Sequence, residues 1–190
     1  MRRFALAAAL MFALALPRAG QAEIITFGGL VGGGGVPVVS YNEDGFTVGN
    51  LGSEWYEAHG IGNAVPSIFT DFVNSTNQTI VVTLTGGGLF GFNAVDLAAS
   101  SVTTRYIING QLGGVNKFVP EISGGSLGAA FTAVLGDGTI LIDTLYITLI
   151  GSGDANIDNI NVGVIPEPTS LALLGAGLLG LATLRRRARK

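Results

Sequence analysis

From Thr79 to Thr85 the chain alternates, with Ile80, Val82 and Leu84 on one side and Thr79, Val81, Thr83 and Thr85 on the other. The stretch from Asp143 to Leu149 repeats the pattern, setting Leu145, Ile147 and Leu149 against Thr144, Tyr146 and Thr148. A period of two with β-branched residues between is the signature of a half-buried strand. Weaker runs of the same kind lie at residues 24–27, 45–48, 89–97, 102–108, 131–135 and 157–162. Glycine clusters at 32–35, 86–88, 113–114 and 124–125 punctuate them, and Gly136-Asp137-Gly138 reads as a hairpin turn between its flanking runs. Many short strands separated by glycine turns predict an all-β domain, an antiparallel sandwich or jelly roll. The glycines have no fixed period, which disfavours a β-helix, and only the two ends of the chain carry continuous apolar runs long enough to read as helices.

The first end is Met1-Arg2-Arg3, then residues 4–16 without a polar side chain, then small residues at Gly20 and Ala22. A basic start, a short apolar run and a small-residue site predict a signal peptide over 1–22, removed after Ala22 by signal peptidase once the secretion machinery has engaged it. The other end has an apolar or small residue at every position from 171 to 184, followed by Arg185, Arg186, Arg187, Arg189 and Lys190. Those fourteen positions span only ~21 Å as a helix, short of a ~30 Å hydrocarbon core, but flanking residues that snorkel let such a segment insert. The basic cluster stays cytoplasmic by the positive-inside rule, so the expected topology is domain outside, tail inside. Pro166 and Pro168 bracket Glu167 just before this segment and keep the junction extended.

Pro166-Glu167-Pro168, a Thr-Ser pair, a Leu/Gly/Ala helix and a terminal arginine run together resemble the PEP-CTERM sorting signal of Gram-negative bacteria. The resemblance implies that exosortase, a membrane-embedded cysteine transpeptidase, recognises the tail and removes it as the protein is sorted to the cell surface, envelope or extracellular matrix. Such substrates accompany extracellular polysaccharide. A GPI anchor fits poorly, because its hydrophobic tail does not normally end in basic residues. The expected organisation is a signal peptide at 1–22, a β-sandwich at 23–164 and the sorting signal at 165–190.

A middle part of some 140 residues is the size of one ordinary domain. It contains no cysteine, so thiol chemistry is excluded and packing must hold the domain together. Arg105 and Lys117 are the only cations between Glu23 and Val164, against twelve acids, a formal charge of −10. That surface repels phosphate backbones, which argues against nucleic acid as a partner, and it keeps a glycine-rich apolar domain soluble.

Catalytic signals are weak. His59 is the sole histidine, and no nucleophile motif such as G-x-S-x-G is present. The expectation is therefore a non-enzyme; because paired carboxylates are plentiful, the alternative is a secreted polysaccharide-modifying enzyme. Glu54 to Gly60 gathers the only tryptophan, the only histidine and two acids in a segment that reads as a loop. Aromatic faces beside polar groups suit sugars, making Trp55, Tyr56 and His59 candidate ligand-binding residues. Residues 154–162, DANIDNINV, resemble the last strand of jelly-roll carbohydrate-binding modules. That resemblance implies a structural calcium ion on Asp158, with Glu23 as the distant partner and oxygen donors from Asp154 and Asn156. The D-x-N-x-D spacing is not an EF-hand, because Asn159 stands where glycine is needed. Asn74 and Asn77 head N-x-S/T triplets, read here as a polar turn. The combined expectation is an exported, exosortase-processed surface or matrix protein whose middle domain is structural or carbohydrate-binding.

Overall fold

The computed structural model describes residues 22–52, 54–71 and 77–164. The first 21 residues of the expected signal peptide, the sorting signal with its helix and basic end, and the Asn74 triplet lie outside them. Thirteen strands follow in chain order: β1 Ala22–Ile25, β2 Ser40–Glu43, β3 Phe46–Asn50, β4 Tyr56–Ala58, β5 Ser67–Thr70, β6 Asn77–Leu84, β7 Phe90–Ala99, β8 Arg105–Leu112, β9 Val115–Asn116, β10 Ile122–Gly124, β11 Thr132–Leu135, β12 Thr144–Ile150 and β13 Ala155–Val164. The all-β reading holds. Among the described residues no helix is long and apolar enough to cross a membrane.

The strands form two sheets in which every pairing is antiparallel. Sheet 1 has the order β11-β7-β13-β5-β4, with β1 also on β13; sheet 2 has the order β10-β8-β12-β6-β3-β2, with β9 on β8. From β5 to β8 and again from β10 to β13 each successive strand changes sheet, which is the antiparallel sandwich expected of a jelly-roll pattern. The two clear alternating runs became β6 and β12, which are neighbours in sheet 2 with Ile80 opposite Ile147 and Val82 opposite Leu145. Both pairs are buried. Their inward residues meet those of sheet 1, and Phe27, Phe46, Trp55, Phe90, Phe92, Ile157 and Ile160 join one continuous core. Phe46 and Phe90 meet edge to face, 5.3 Å between centroids at 83°, a favoured aromatic geometry.

Three sequence expectations need correction. Gly136-Asp137-Gly138 is not a hairpin turn, because β11 pairs with β7 in sheet 1 whereas β12 lies in sheet 2. The loop instead lies along β7, where Gly136 N–H donates to Asn93 O at 2.8 Å and a Cβ on Gly91 would strike the Gly138 carbonyl. A turn signal marks a reversal of the chain and carries nothing about which sheet follows. The segment from Glu54 to Gly60 is not all loop, since Tyr56–Ala58 is edge strand β4 on β5. Asn77 likewise opens β6 rather than sitting in a turn.

Candidate functional site

Cross-strand register sorts the residues singled out in the sequence. Because side chains alternate faces along a strand, Glu57, Ile68, Ile157 and Leu97 form one row across β4, β5, β13 and β7, and the latter three are core residues. The neighbouring row, Tyr56, Phe69, Asn156 and Ala98, therefore faces outward. Tyr56 and Phe69 are half-buried and their rings lie 5.6 Å apart at 38°. One outward row further along, about 7 Å away at two residues' rise, Asp158 of β13 stands opposite Asp96 of β7, followed by Ala133 of β11. The outer face of sheet 1 thus carries an aromatic row beside a row of carboxylates and amides.

Asp158 is fully buried although it points away from the core, because residues 59–66 fold across it. Asn63 N–H donates to its Oδ2 at 2.6 Å and Asn159 N–H to its Oδ1 at 2.8 Å. Asn63 Nδ2 and Asn159 Nδ2 donate to Asp96 Oδ2 at 2.7 and 3.0 Å, and Asn159 Nδ2 also donates to Asn63 O at 2.9 Å. The local backbone makes this possible: the β13–β7 register shifts between Asp158 and Asn161, and Asn159 adopts φ 45°, a left-handed conformation that asparagine tolerates better than most residues. Burial pushes the Asp158 carboxyl up to about 6; its two backbone hydrogen bonds oppose that, and the charges of Asp96 and Glu43 add to it. Asn156 is spent on Ser67, whose Oγ accepts from its Nδ2 at 3.2 Å and donates to Ile61 O at 2.9 Å.

The other candidates are placed elsewhere. Trp55 is 1% exposed, a core residue with no face to offer a sugar, so the stacking role expected of it is corrected. The sole tryptophan was picked out by its rarity, which carries no information about which side of the strand it occupies. His59 Nε2 lies 2.9 Å from Glu57 Oε2, and the same carboxylate accepts Gly32 N–H at 2.9 Å. This pair ties β4 to the glycine-rich segment before β2 rather than standing free for a ligand.

Of the four residues expected to hold calcium, Asp158 has both oxygens engaged by backbone N–H groups and Asp154 is exposed before β13. Glu23 pairs with Val162, four register positions from Asp158, or roughly 13 Å along the strand. The four are not brought together, which corrects that ligand set. No group of three or more histidine or acidic residues among the described residues is arranged to hold a metal. Phe69, Asn63 and Asp96 were missed in the sequence. Asn63 sits in a polar loop and Asp96 in an apolar run, and only pairing across 95 and 62 residues of chain sets them beside Asp158.

Residues 164–187 match the family model of the PEP-CTERM protein-sorting motif. The match begins on the last residue of β13. No curated protein matches the chain. Among solved structures, the chain is similar to a family 29 carbohydrate-binding module from Piromyces equi, at 10% identity and TM-score 0.48, covering 78% of this chain and 93% of that one. A family 32 carbohydrate-binding module from C. perfringens, in complex with galactose, aligns at 18% identity and TM-score 0.45, covering 66% and 98%. A family two carbohydrate esterase from Cellvibrio japonicus aligns at 8% identity and TM-score 0.44, covering 78% of this chain but 35% of its own. These identities and scores are too low for any ligand or activity to pass to this chain by likeness.

Proposed function

We propose that this chain, with its PEP-CTERM sorting motif, is an exosortase substrate: an exported protein cut at Pro166-Glu167-Pro168 whose β-sandwich then works outside the cell as a non-catalytic, polysaccharide-binding module. The observation that carries the proposal is the junction. The motif starts at Val164, where β13 ends, so cutting at residues 166–168 leaves every strand pairing of the sandwich in place. Glycan contact is assigned to the outer face of sheet 1. There Tyr56 and Phe69 supply ring surface for sugar C–H faces, and Asp96 and its asparagine neighbours supply acceptors and donors for hydroxyls.

The test is Glu167→Ala in the producing bacterium, followed by co-sedimentation of released protein with that bacterium's own extracellular polysaccharide. The variant is expected to accumulate as membrane-bound precursor. Wild-type released protein is expected to co-sediment, and Tyr56→Ala with Phe69→Ala to lower the affinity about tenfold or more, on the scale of ~1–3 kcal/mol for losing an aromatic stacking contact. Normal processing of Glu167→Ala, or absence of the wild type from the polysaccharide pellet, would remove the corresponding half of the proposal.

A further inference from the structure

At the open side of the sandwich, between β10 of sheet 2 and β11 of sheet 1, lies a cleft of about 330 Å³ lined by Lys117, Phe118, Val119, Pro120, Ile122, Leu135, Gly136, Asp137 and Ile140. Phe118 is buried, packs 6.3 Å from Phe92 and closes over Gly110, whose missing side chain leaves room for its ring. Ile122 and Ile140 pack against the same core, while Leu135 and Val119 remain 72% and 84% exposed. The cleft is therefore apolar at its base and open at its rim. Its volume corresponds to about eleven waters at ~30 Å³ each, which is room for one sugar ring with its substituents.

Two charged residues border this cleft. Lys117 is one of two cations in a part of the chain that holds twelve acids, yet no carboxylate among the described residues pairs with it. Its backbone is fixed by Lys117 N–H donating to Gly110 O at 2.7 Å. Asp137 is turned inward on its own loop: Oδ1 accepts Thr139 N–H at 3.0 Å and Thr139 Oγ1–H at 2.6 Å, and these bonds hold its carboxyl below the usual range. The loop itself is pinned to β7 through Gly136. Asp137 thus stays ionised and occupied, leaving the Lys117 ammonium free beside an apolar floor.

We infer that this cleft is a binding site for an acidic sugar, a hexuronate unit of an extracellular polysaccharide, with the carboxylate on Lys117, a ring face on Phe118 and Ile122, and a hydroxyl donated to Asp137. A neutral sugar leaves Lys117 unpaired, and an open-chain acid leaves the floor uncovered; only the combination uses both. The assignment rests on the reading that the sandwich binds polysaccharide, but it employs a different surface from the Tyr56 and Phe69 face. The net charge of −10 works against general attraction of polyanions, so recognition of the acid is confined to this one cation.

The experiment uses the full-length chain purified in detergent and followed by NMR during titration with sodium glucuronate, glucose and sodium gluconate. Glucuronate is expected to saturate with at least tenfold higher affinity than either of the others and to weaken with added salt. Lys117→Gln should abolish that preference, and Arg105→Gln, which removes the other cation, should leave it intact. Equal binding of glucose and glucuronate, no saturation by glucuronate, or an unaltered Lys117→Gln variant overturns the assignment. Co-sedimentation with extracellular polysaccharide is measured on the same proteins. If the polymer still binds while glucuronate does not compete, the cleft assignment alone falls; if neither polymer nor glucuronate binds, the polysaccharide reading falls with it.

Discussion

Asp158 offers a direct measurement of what burial of a carboxylate does to this sandwich. It is fully buried and its carboxyl is pushed from 3.8 to about 6, chiefly by desolvation. Between about pH 4 and pH 6 the native state therefore holds a proton that the unfolded chain has already released. Stability should fall as the pH rises through that window and level off above it, by about 3 kcal/mol in total for a shift of this size. Asp158→Asn keeps the shape and removes the charge. It also sets an amide N–H against one of the two backbone donors from Asn63 and Asn159, a loss of roughly 1–3 kcal/mol that is the same at every pH. The informative quantity is thus the difference between wild type and variant, from which the other carboxylates cancel. Urea unfolding of residues 22–164 at pH 4, 5, 6 and 7, followed by fluorescence of the buried Trp55, gives that difference. The wild type should lose about 3 kcal/mol relative to Asp158→Asn from pH 4 to pH 7. A difference that is flat across this range, or that grows in favour of the wild type with rising pH, would refute the desolvation argument.

Other outcomes follow from packing. Trp55→Ala should destabilise the domain by about 3–5 kcal/mol, as for any large core residue cut to alanine, with polysaccharide binding lost only in proportion to unfolding seen by circular dichroism. Gly91→Ala should destabilise by about 1–3 kcal/mol through collision with the Gly138 backbone, readable as a lowered melting temperature, whereas Gly49→Ala, whose added methyl meets nothing within 4 Å, serves as the tolerant comparison. A chelator should leave the melting temperature of residues 22–164 unchanged. A fall of several degrees that calcium restores would show that a cation stabilises the native state, through ligands other than the Asp158 set.

Local pattern was sufficient for the class of fold and for the ends of the chain. Period-two alternation identifies β6 and β12 because one face of each is buried against an opposing sheet, and that asymmetry is written into every second residue. A basic start, an apolar run and the order Pro-Glu-Pro, helix, arginines are legible for the same reason, since sorting signals are read as linear sequence. β4, β9 and β10 were not legible: edge strands of two or three residues are too short to show a period, and their pairing partners decide that they exist. The site was decided still further from the sequence. Tyr56 and Trp55 are adjacent and both aromatic, yet one lies outside and the other in the core because the register of β4 on β5 sets Tyr56 opposite Phe69 and alternates their neighbours inward. Asp158 gained its buried environment from Asn63 and Asp96, and Lys117 its cleft from β11, contacts between residues far apart in the chain. Alternation along a strand is a local property that sequence alone determined, whereas which strand lies beside it, and therefore which side chains share a face, was settled only by the packing of the two sheets.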